Sequence, residues 1–313
     1  MQRRIWAEQV KEDPEHTFFV GDFRATEILS KARRNNPILK DILDQNGIQR
    51  GVSPDYFDAH VMPATQAKSE HLESGCIRMS ISGEQIKPYR DWTPDQAIIY
   101  VGRDDDVDLY PKALKHIETY RNEISCSEVK ERKHPWWALH RKRDPEIFNS
   151  PKFIGLTTSK TVNLLYDAKD SLVVTDAMFV FRLKDRLDPD IVLAVMQSSP
   201  FLFFYRVANQ GEQRVIPQLK AAKLESLPFP AFGEQEKQGR VLFSLVSRAH
   251  EITRAMESAK SKEENETIKA GLGSVLSNID DAVCEAYGLT SEDAAYIRGW
   301  LKGERQAMPV PPS

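Results

Sequence analysis

The segment Leu227-Pro228-Phe229-Pro230 constrains the fold of this chain more than any other feature of its sequence. Proline has a fixed φ and no backbone N–H, so neither a helix interior nor a central strand runs through two prolines this close together. We therefore predict a domain edge at this segment. Strand candidates dominate the sequence before the edge, and apolar residues recur at helical spacing after it.

The sequence before the edge predicts a series of short strands and helices. Apolar runs indicate strands over 76–81, 97–101, 153–157, 162–166 and 177–183. The segment 46–52 is typical of two short strands around glycine turns. Helices are predicted over 110–124, over 189–205 and twice within the first 45 residues, where the chain breaks before Pro37.

The sequence after the edge predicts helices. Apolar residues at helical spacing indicate an amphipathic helix over 234–262 and a second helical region over 276–301. Together the two halves predict a mixed α/β chain of the α+β class. We expect a helical lead-in (1–45), a strand-rich domain (46–230), a helical C-terminal region (231–305) and a tail (306–313).

Charge is distributed unevenly along the chain, although 43 basic and 46 acidic residues nearly cancel overall. Between residues 128 and 160, basic residues exceed acidic ones by eight to four, and Trp136 and Trp137 lie among them. A solvated loop with core aromatics and a nucleic-acid surface both fit this pattern. The basic residues are Lys130, Arg132, Lys133, Arg141, Lys142, Arg143, Lys152 and Lys160.

Common catalytic motifs are absent from the sequence. It has no GxxxxGK[ST], GxGxxG, HExxH or GxSxG pattern, and its seven histidines and three cysteines do not fall at metal-ligand spacing. Pro94-Asp95, followed by Glu128-Val129-Lys130, matches the residue pattern of a metal-dependent nuclease core. Magnesium chemistry needs carboxylates on adjacent strands, however, and we expect Asp95 to precede its strand and Glu128 to lie in a charged loop. We therefore predict no catalytic and no metal-binding residue.

Apolar stretches in the sequence are too short for a membrane protein. None reaches the roughly 20 residues that a membrane span needs, and the first residues do not resemble a signal peptide. We expect a chain without a membrane segment that stays in the cytoplasm.

Seven stretches of the sequence, in unbroken order, resemble one known family. They are PILKDI with GIQRGV (37–52), GEQIKPY with IIY (83–100), YPKALKHIETY (110–120), WWALH with FNSPKFI (136–154), LAVMQSSPF (193–201), LESLPFP (224–230) and NIDDAVCEAYGLTSE (278–292). This order resembles the TaqI-like C-terminal specificity domain, the target-recognition region of type II restriction-modification adenine-specific DNA methyltransferases. The resemblance implies that residues 46–230 form a DNA target-recognition domain that binds double-stranded DNA.

The chain also departs from that family. Its enzymes have an upstream domain that resembles a Rossmann fold, binds S-adenosylmethionine and holds the flipped adenine with an [N/D]PP[Y/F] tetrapeptide. This sequence has no such tetrapeptide, and about 36 residues precede the resemblance, too few for a cofactor fold. We expect no cofactor in this chain, with S-adenosylmethionine on a catalytic domain or partner subunit. The chain would then be a split subunit, a solo module or a fragment.

Two sets of residues are predicted to contact DNA. Cations of the basic stretch suit phosphates, and arginine and glutamine suit the edges of guanine and adenine. The predicted phosphate contacts are Lys130, Arg132, Arg141, Lys142, Arg143, Lys152 and Lys160. The predicted base contacts are Gln210, Gln213 and Arg214, supported by Arg50, Lys87 and Arg90.

Two alternatives to DNA recognition remain open at this point. One is a nuclease or other hydrolase with an unrecognised site, which magnesium-dependent cleavage would favour. The other is an interaction module whose amphipathic helix binds a partner, which failure to retain DNA would favour.

Overall fold

The structure is a computed structural model, and it describes residues 22–169, 172–184, 187–209, 218–232 and 237–303. The helices in these ranges are α1 (Phe23–Asn35), α2 (Leu39–Ile42), α3 (Phe57–His60), α4 (Ala64–Ser69), α5 (Pro111–Glu118), α6 (Ser127–Lys130), α7 (Pro189–Met196), α8 (Ser199–Ala208), α9 (Ala221–Glu225), α10 (Lys237–Ser258), α11 (Lys262–Ala286) and α12 (Ser291–Leu301). The strands are β1 (Gln49–Arg50), β2 (Val61–Pro63), β3 (Ile77–Ser80), β4 (Gln96–Ile99), β5 (Lys152–Leu156), β6 (Leu164–Asp167) and β7 (Met178–Phe181). This mixture of helices and antiparallel strands confirms the predicted α+β class.

Two antiparallel sheets form the strand-rich half of the molecule. The small sheet has the order β2-β4-β3, and the larger one has the order β1-β7-β5-β6. In the small sheet, Ile98 lies opposite both Val61 and Arg78. In the larger sheet, Ile154 lies opposite Leu165 on one side and Val180 on the other.

A junction of two segments, residues 139–149 and 172–176, connects the sheets. Isolated bridges join Ser53 to Arg141, Met79 to Leu172 and Val52 to Thr175. Gly51 lies where a Cβ atom would come 2.1 Å from the carbonyl oxygen of Val174, so only glycine fits this close approach.

Buried apolar side chains form three clusters. One lies between the small sheet and its short helices, and a second, which includes Tyr100, Phe148 and Ile154, fills the space at the junction. The third packs α1, α7, α8, α10, α11 and α12 against aromatic residues of the larger sheet, including Phe153 and Phe181. The helical C-terminal region therefore shares its core with the strand-rich half and with the lead-in.

The helices differ from the sequence prediction at two places. The single helix predicted over 189–205 is two helices, because the Ser198 side chain accepts a hydrogen bond from the N–H of Phe201 and caps a new helix with Pro200 in its first turn. The second helical region, predicted to start at 276, begins at Lys262 with Ser261 as its cap. The segment 46–52 contains one strand, β1, instead of the two predicted.

The remaining helix and strand predictions agree with the structure more closely. Helix α1 ends before Pro37 as predicted, and the Asp22 carboxylate caps its start through the N–H of Ala25. Each strand predicted from 76 onward overlaps one of β3 to β7. The Leu227–Pro230 segment is neither a helix nor a central strand and hydrogen-bonds to the lead-in, where the Leu39 N–H donates to Leu227 O and the Phe229 N–H donates to Pro37 O.

No single helix in the described ranges is long and apolar enough to span a membrane. Helices α7 and α8 reach the necessary length and apolar composition only when they are taken together, and the chain bends by 54° at the break between them. Most residues of both helices are buried in the third apolar cluster.

Candidate nucleic-acid interface

The basic residues Arg141, Lys142 and Arg143 lie in the junction segment 139–149. The segment is held on both sides, because the Leu139 N–H donates to Val101 O at 2.9 Å and Arg141 exchanges two backbone hydrogen bonds with Ser53 at 3.0 Å. The side chain of Arg141 is exposed. The structure thus presents this cation on a segment whose backbone is fixed by its neighbours.

Arg143 turns the chain sharply at this place. Its φ of 63° lies in the left-handed region, which is uncommon for a side-chain-bearing residue. Its Nε donates to the carbonyl oxygen of Gly51 at 3.2 Å, and its own carbonyl accepts a hydrogen bond from the hydroxyl of Tyr100 at 3.1 Å. Arg143 is therefore partly used in holding the junction together.

Two cations gather around the buried ring of Tyr100. The Lys142 ammonium lies 4.9 Å from the ring centroid, and the guanidinium of Arg78 on β3 lies 5.9 Å from it. Burial raises the pKa of Tyr100 to about 12, so the hydroxyl remains a hydrogen-bond donor at neutral pH. Lys142 also forms an ion pair with Asp105 at 2.5 Å.

A pocket of about 220 Å³ opens beside this ring, and we call it the junction pocket. Strand β3 of the small sheet, both junction segments and the loops at 75 and 100–110 contribute to its wall. The lining residues are Gly75, Arg78, Tyr100, Asp105, Tyr110, Lys142, Pro145, Phe148, Asn149 and Val173. The charged side chains are two cations and one carboxylate, so the lining carries one net positive charge.

Lys152 does not contact solvent, and the prediction that it binds a phosphate is wrong. Its side chain has 0% exposure, and its ammonium lies 2.7 Å from the Asp167 carboxylate and donates to Phe148 O at 2.9 Å. Strands β5 and β6 place these two residues directly opposite each other. An ammonium that is buried and paired in this way is not available to DNA.

The partner carboxylate, Asp167, connects the ion pair to the second junction segment. It accepts hydrogen bonds from the backbone N–H groups of Lys169 at 3.2 Å and Leu172 at 2.9 Å. The next residue, Val173, donates to Met79 O on β3 at 2.9 Å. The buried pair therefore fixes both segments that line the junction pocket.

Lys87 and Arg90 lie on a loop that is anchored to helix α10. Tyr89 between them is buried and has a φ of 57°, and its carbonyl accepts a hydrogen bond from the buried hydroxyl of Thr253. Asp91 binds the guanidinium of Arg254 through two contacts at 2.7 and 3.1 Å.

This anchoring affects the two predicted base contacts differently. Lys87 is exposed. Arg90 is half-buried and lies 3.9 Å from the carboxylate of Glu257 on α10.

The other predicted DNA contacts have different positions. Lys130, Arg132 and Lys160 are exposed, and Arg50 is exposed on the edge strand β1. Gln210, Gln213 and Arg214 lie outside the described residues, so their role in base readout stays a prediction.

Sequence reasoning missed Arg78, Tyr110 and Asn149, which line the junction pocket. Arg78 is a charged residue within the predicted strand 76–81, and this was the only feature of the sequence that could have indicated a functional role for it. The other two residues come together with Arg78 only through the junction of the sheets, and no spacing in the sequence marks them.

The described residues do not form a metal-binding cluster. Among them, no group of three or more His, Cys, Asp or Glu side chains is placed to hold a metal ion. Asp95 directly precedes β4 and accepts a hydrogen bond from the N–H of Ser82 at 2.7 Å, while Glu128 is exposed on α6. The two carboxylates do not lie on adjacent strands, which agrees with the prediction. Glu128 lies on a short helix, however, and not in a loop as predicted.

Comparison with known protein families identifies part of the chain. Residues 79–229 match the TaqI-like C-terminal specificity domain. The resemblance that the sequence motifs indicated is thereby confirmed over this segment. The comparison with curated proteins found no match.

Comparison with solved structures indicates the same kind of fold. The structure is similar to the Type IIL restriction-modification enzyme MmeI, which was solved in complex with DNA, with a TM-score of 0.50 and 12% sequence identity. The match covers 82% of this chain and 35% of that enzyme. At this identity the similarity shows a shared fold, and this chain spans about a third of the enzyme's length.

Proposed function

We propose that this chain recognises a site on double-stranded DNA for a restriction-modification system. The observation that carries the proposal is the match of residues 79–229 to a specificity domain. The fold it shares with MmeI supports the proposal, since that enzyme was solved with DNA bound. The exposed cations of the basic stretch add a physical reason, because such groups bind phosphates.

Division of labour between cations and base-reading groups would give both affinity and specificity. Phosphate contacts from Arg141, Lys130 and Lys160 would position the protein without reading sequence. Polar side chains that reach base edges, such as Lys87 and the predicted Gln213 and Arg214, would discriminate between sites.

We further propose that the recognised site serves an adenine-specific DNA methyltransferase. An adenine inside a duplex is unreachable, so the catalytic component must extrude it while the specificity domain holds the site. We place S-adenosylmethionine and the transfer step on a catalytic domain or partner subunit and assign no cofactor to the residues of this chain. A cytoplasmic location remains a prediction.

The proposed function is tested by binding of the purified chain to labelled duplex DNA across a salt series. We expect binding that weakens as salt rises, with log K falling linearly against log[salt] by about 0.9 per phosphate contact. Calorimetric titration with S-adenosylmethionine should be flat. Failure to bind any duplex at low salt would contradict the proposal and favour an interaction module, and magnesium-dependent cleavage of the DNA would favour a nuclease.

A further inference from the structure

We propose that the junction pocket receives a single nucleotide, other than the adenine that is methylated, that has left the base stack of the bound DNA. This inference deepens the proposed function and rests on it. It assigns a ligand to a concave site between the small sheet and the two junction segments, whereas the exposed cations described above suit the outside of an intact duplex.

The size of the pocket restricts its occupant. Sites for whole drug-sized ligands measure about 300–1,000 Å³, and the junction pocket has about 220 Å³. A base or a sugar-phosphate unit suits this volume, and a cofactor as large as S-adenosylmethionine does not. The site is also recessed, so the backbone of a regular duplex would not fill it.

The apolar part of the wall consists of three aromatic residues with Pro145 and Val173. The buried rings of Tyr100 and Phe148 pack edge to face with their centroids 6.3 Å apart, and the half-buried ring of Tyr110 lines the same pocket. Enzymes that extrude a nucleotide hold its base against aromatic and apolar side chains, and single-stranded nucleic acids stack their bases on such rings.

The polar part of the wall offers hydrogen-bonding groups that are not fully used. Within the part of the chain that the structure describes, the exposed side-chain amide of Asn149 has no hydrogen-bond partner. One guanidinium nitrogen of Arg78 donates to Ile77 O at 3.1 Å, and no carboxylate in the described ranges lies within ion-pair distance of this side chain. An amide both donates and accepts hydrogen bonds, as a base edge requires.

The charge of the lining also fits a nucleotide. Asp105 is neutralised by Lys142 and by the N–H of Gly102, which leaves Arg78 as the unpaired charge. One net positive charge matches one phosphodiester group.

The test compares three short labelled duplexes of one sequence with the full chain. One duplex is fully paired, one has a single unpaired adenine, and one has an abasic residue at that unpaired position. An unpaired nucleotide has already lost most of its stacking, so we expect the adenine bulge to bind about tenfold or more tightly than the paired duplex. The abasic duplex should lose this preference, although it bends as easily.

Two variants connect the preference to the pocket. Arg78→Ala and Asn149→Ala change exposed side chains and should remove the preference while the circular dichroism spectrum stays unchanged. Their matched controls, Arg33→Ala on α1 and Asn122→Ala after α5, remove exposed side chains that do not line the pocket and should keep the preference.

Each remaining outcome overturns the inference in a recognisable way. Equal binding of the paired and bulged duplexes, equal binding of the adenine and abasic bulges, or a preference that persists in both pocket variants would refute the nucleotide pocket and leave the proposed function standing. Binding to none of the three duplexes would refute both.

Discussion

The ammonium of Lys152 lies 2.7 Å from the carboxylate of Asp167, and both side chains are fully buried. The pair joins opposite positions of β5 and β6, and two of its other hydrogen bonds reach Phe148 O in one junction segment and the N–H of Leu172 in the other. It therefore determines the relative position of the two segments that surround the junction pocket.

Substitution of Lys152 by Met should destabilise the chain by about 3–5 kcal/mol, because it leaves the Asp167 carboxylate buried without a partner. The double variant Lys152→Met with Asp167→Asn should recover part of this loss, since Asn is uncharged and still offers an oxygen to the N–H of Leu172. Urea denaturation measures both values. Wild-type stability in the single variant would show that the pair is not a buried ion pair in solution.

Substitution of Arg141 by Ala should weaken binding to all duplex sequences to a similar extent. If this exposed side chain contacts one phosphate, the slope of log K against log[salt] should become shallower by about 0.9. The matched control is Lys269→Ala on α11, an exposed cation outside residues 79–229. An unchanged slope for Arg141→Ala would mean that this part of the junction does not face DNA.

Substitution of Thr253 by Val should loosen the loop that contains Lys87. The variant keeps the size of the side chain but removes the hydroxyl that donates to the buried carbonyl of Tyr89, and an unsatisfied buried acceptor costs about 1–3 kcal/mol. Hydrogen exchange of the residues 83–92 should become faster. The neighbouring exposed residue Ser258 provides the control variant, Ser258→Ala, and equal exchange in both variants would argue against the anchor.

Acid should destabilise the fold through His60. Burial lowers the pKa of this histidine from 6.5 to about 4, and it outweighs the contact of its Nε2 with Trp137 O at 3.1 Å, which raises the pKa. The unfolded chain binds more protons than the folded chain between pH 6.5 and 4, so stability is complete above pH 6.5 and falls by about 3 kcal/mol as pH drops toward 4.

The pH dependence of unfolding in wild type and His60→Gln measures this contribution. The variant should lose the part of the slope that lies between pH 6.5 and 4, whereas the exposed His71→Ala should keep it. Identical slopes in wild type and His60→Gln would show that folding does not lower the pKa of His60.

The fold was more predictable from the sequence than the candidate site was. Strand positions such as 153–157 follow from local apolar patterns, because each pattern reports burial at its own position. Lys152 shows why the site was harder: it has the same sequence signal as an exposed cation, and only its pairing with Asp167, fifteen residues away, determines its burial. The docking of Tyr89 on α10 likewise depends on contacts with a helix more than 160 residues later.

Selection of bound sites from a random duplex library tests the central claim most directly. We predict that the wild-type chain enriches one defined sequence motif, because base-edge contacts worth about 1–3 kcal/mol each discriminate between sites. Gln213→Ala and Arg214→Ala should each relax one position of that motif, and Arg141→Ala should enrich the same motif with lower yield. Enrichment of no motif by the wild-type chain, despite retention of DNA, would contradict sequence-specific recognition by this protein.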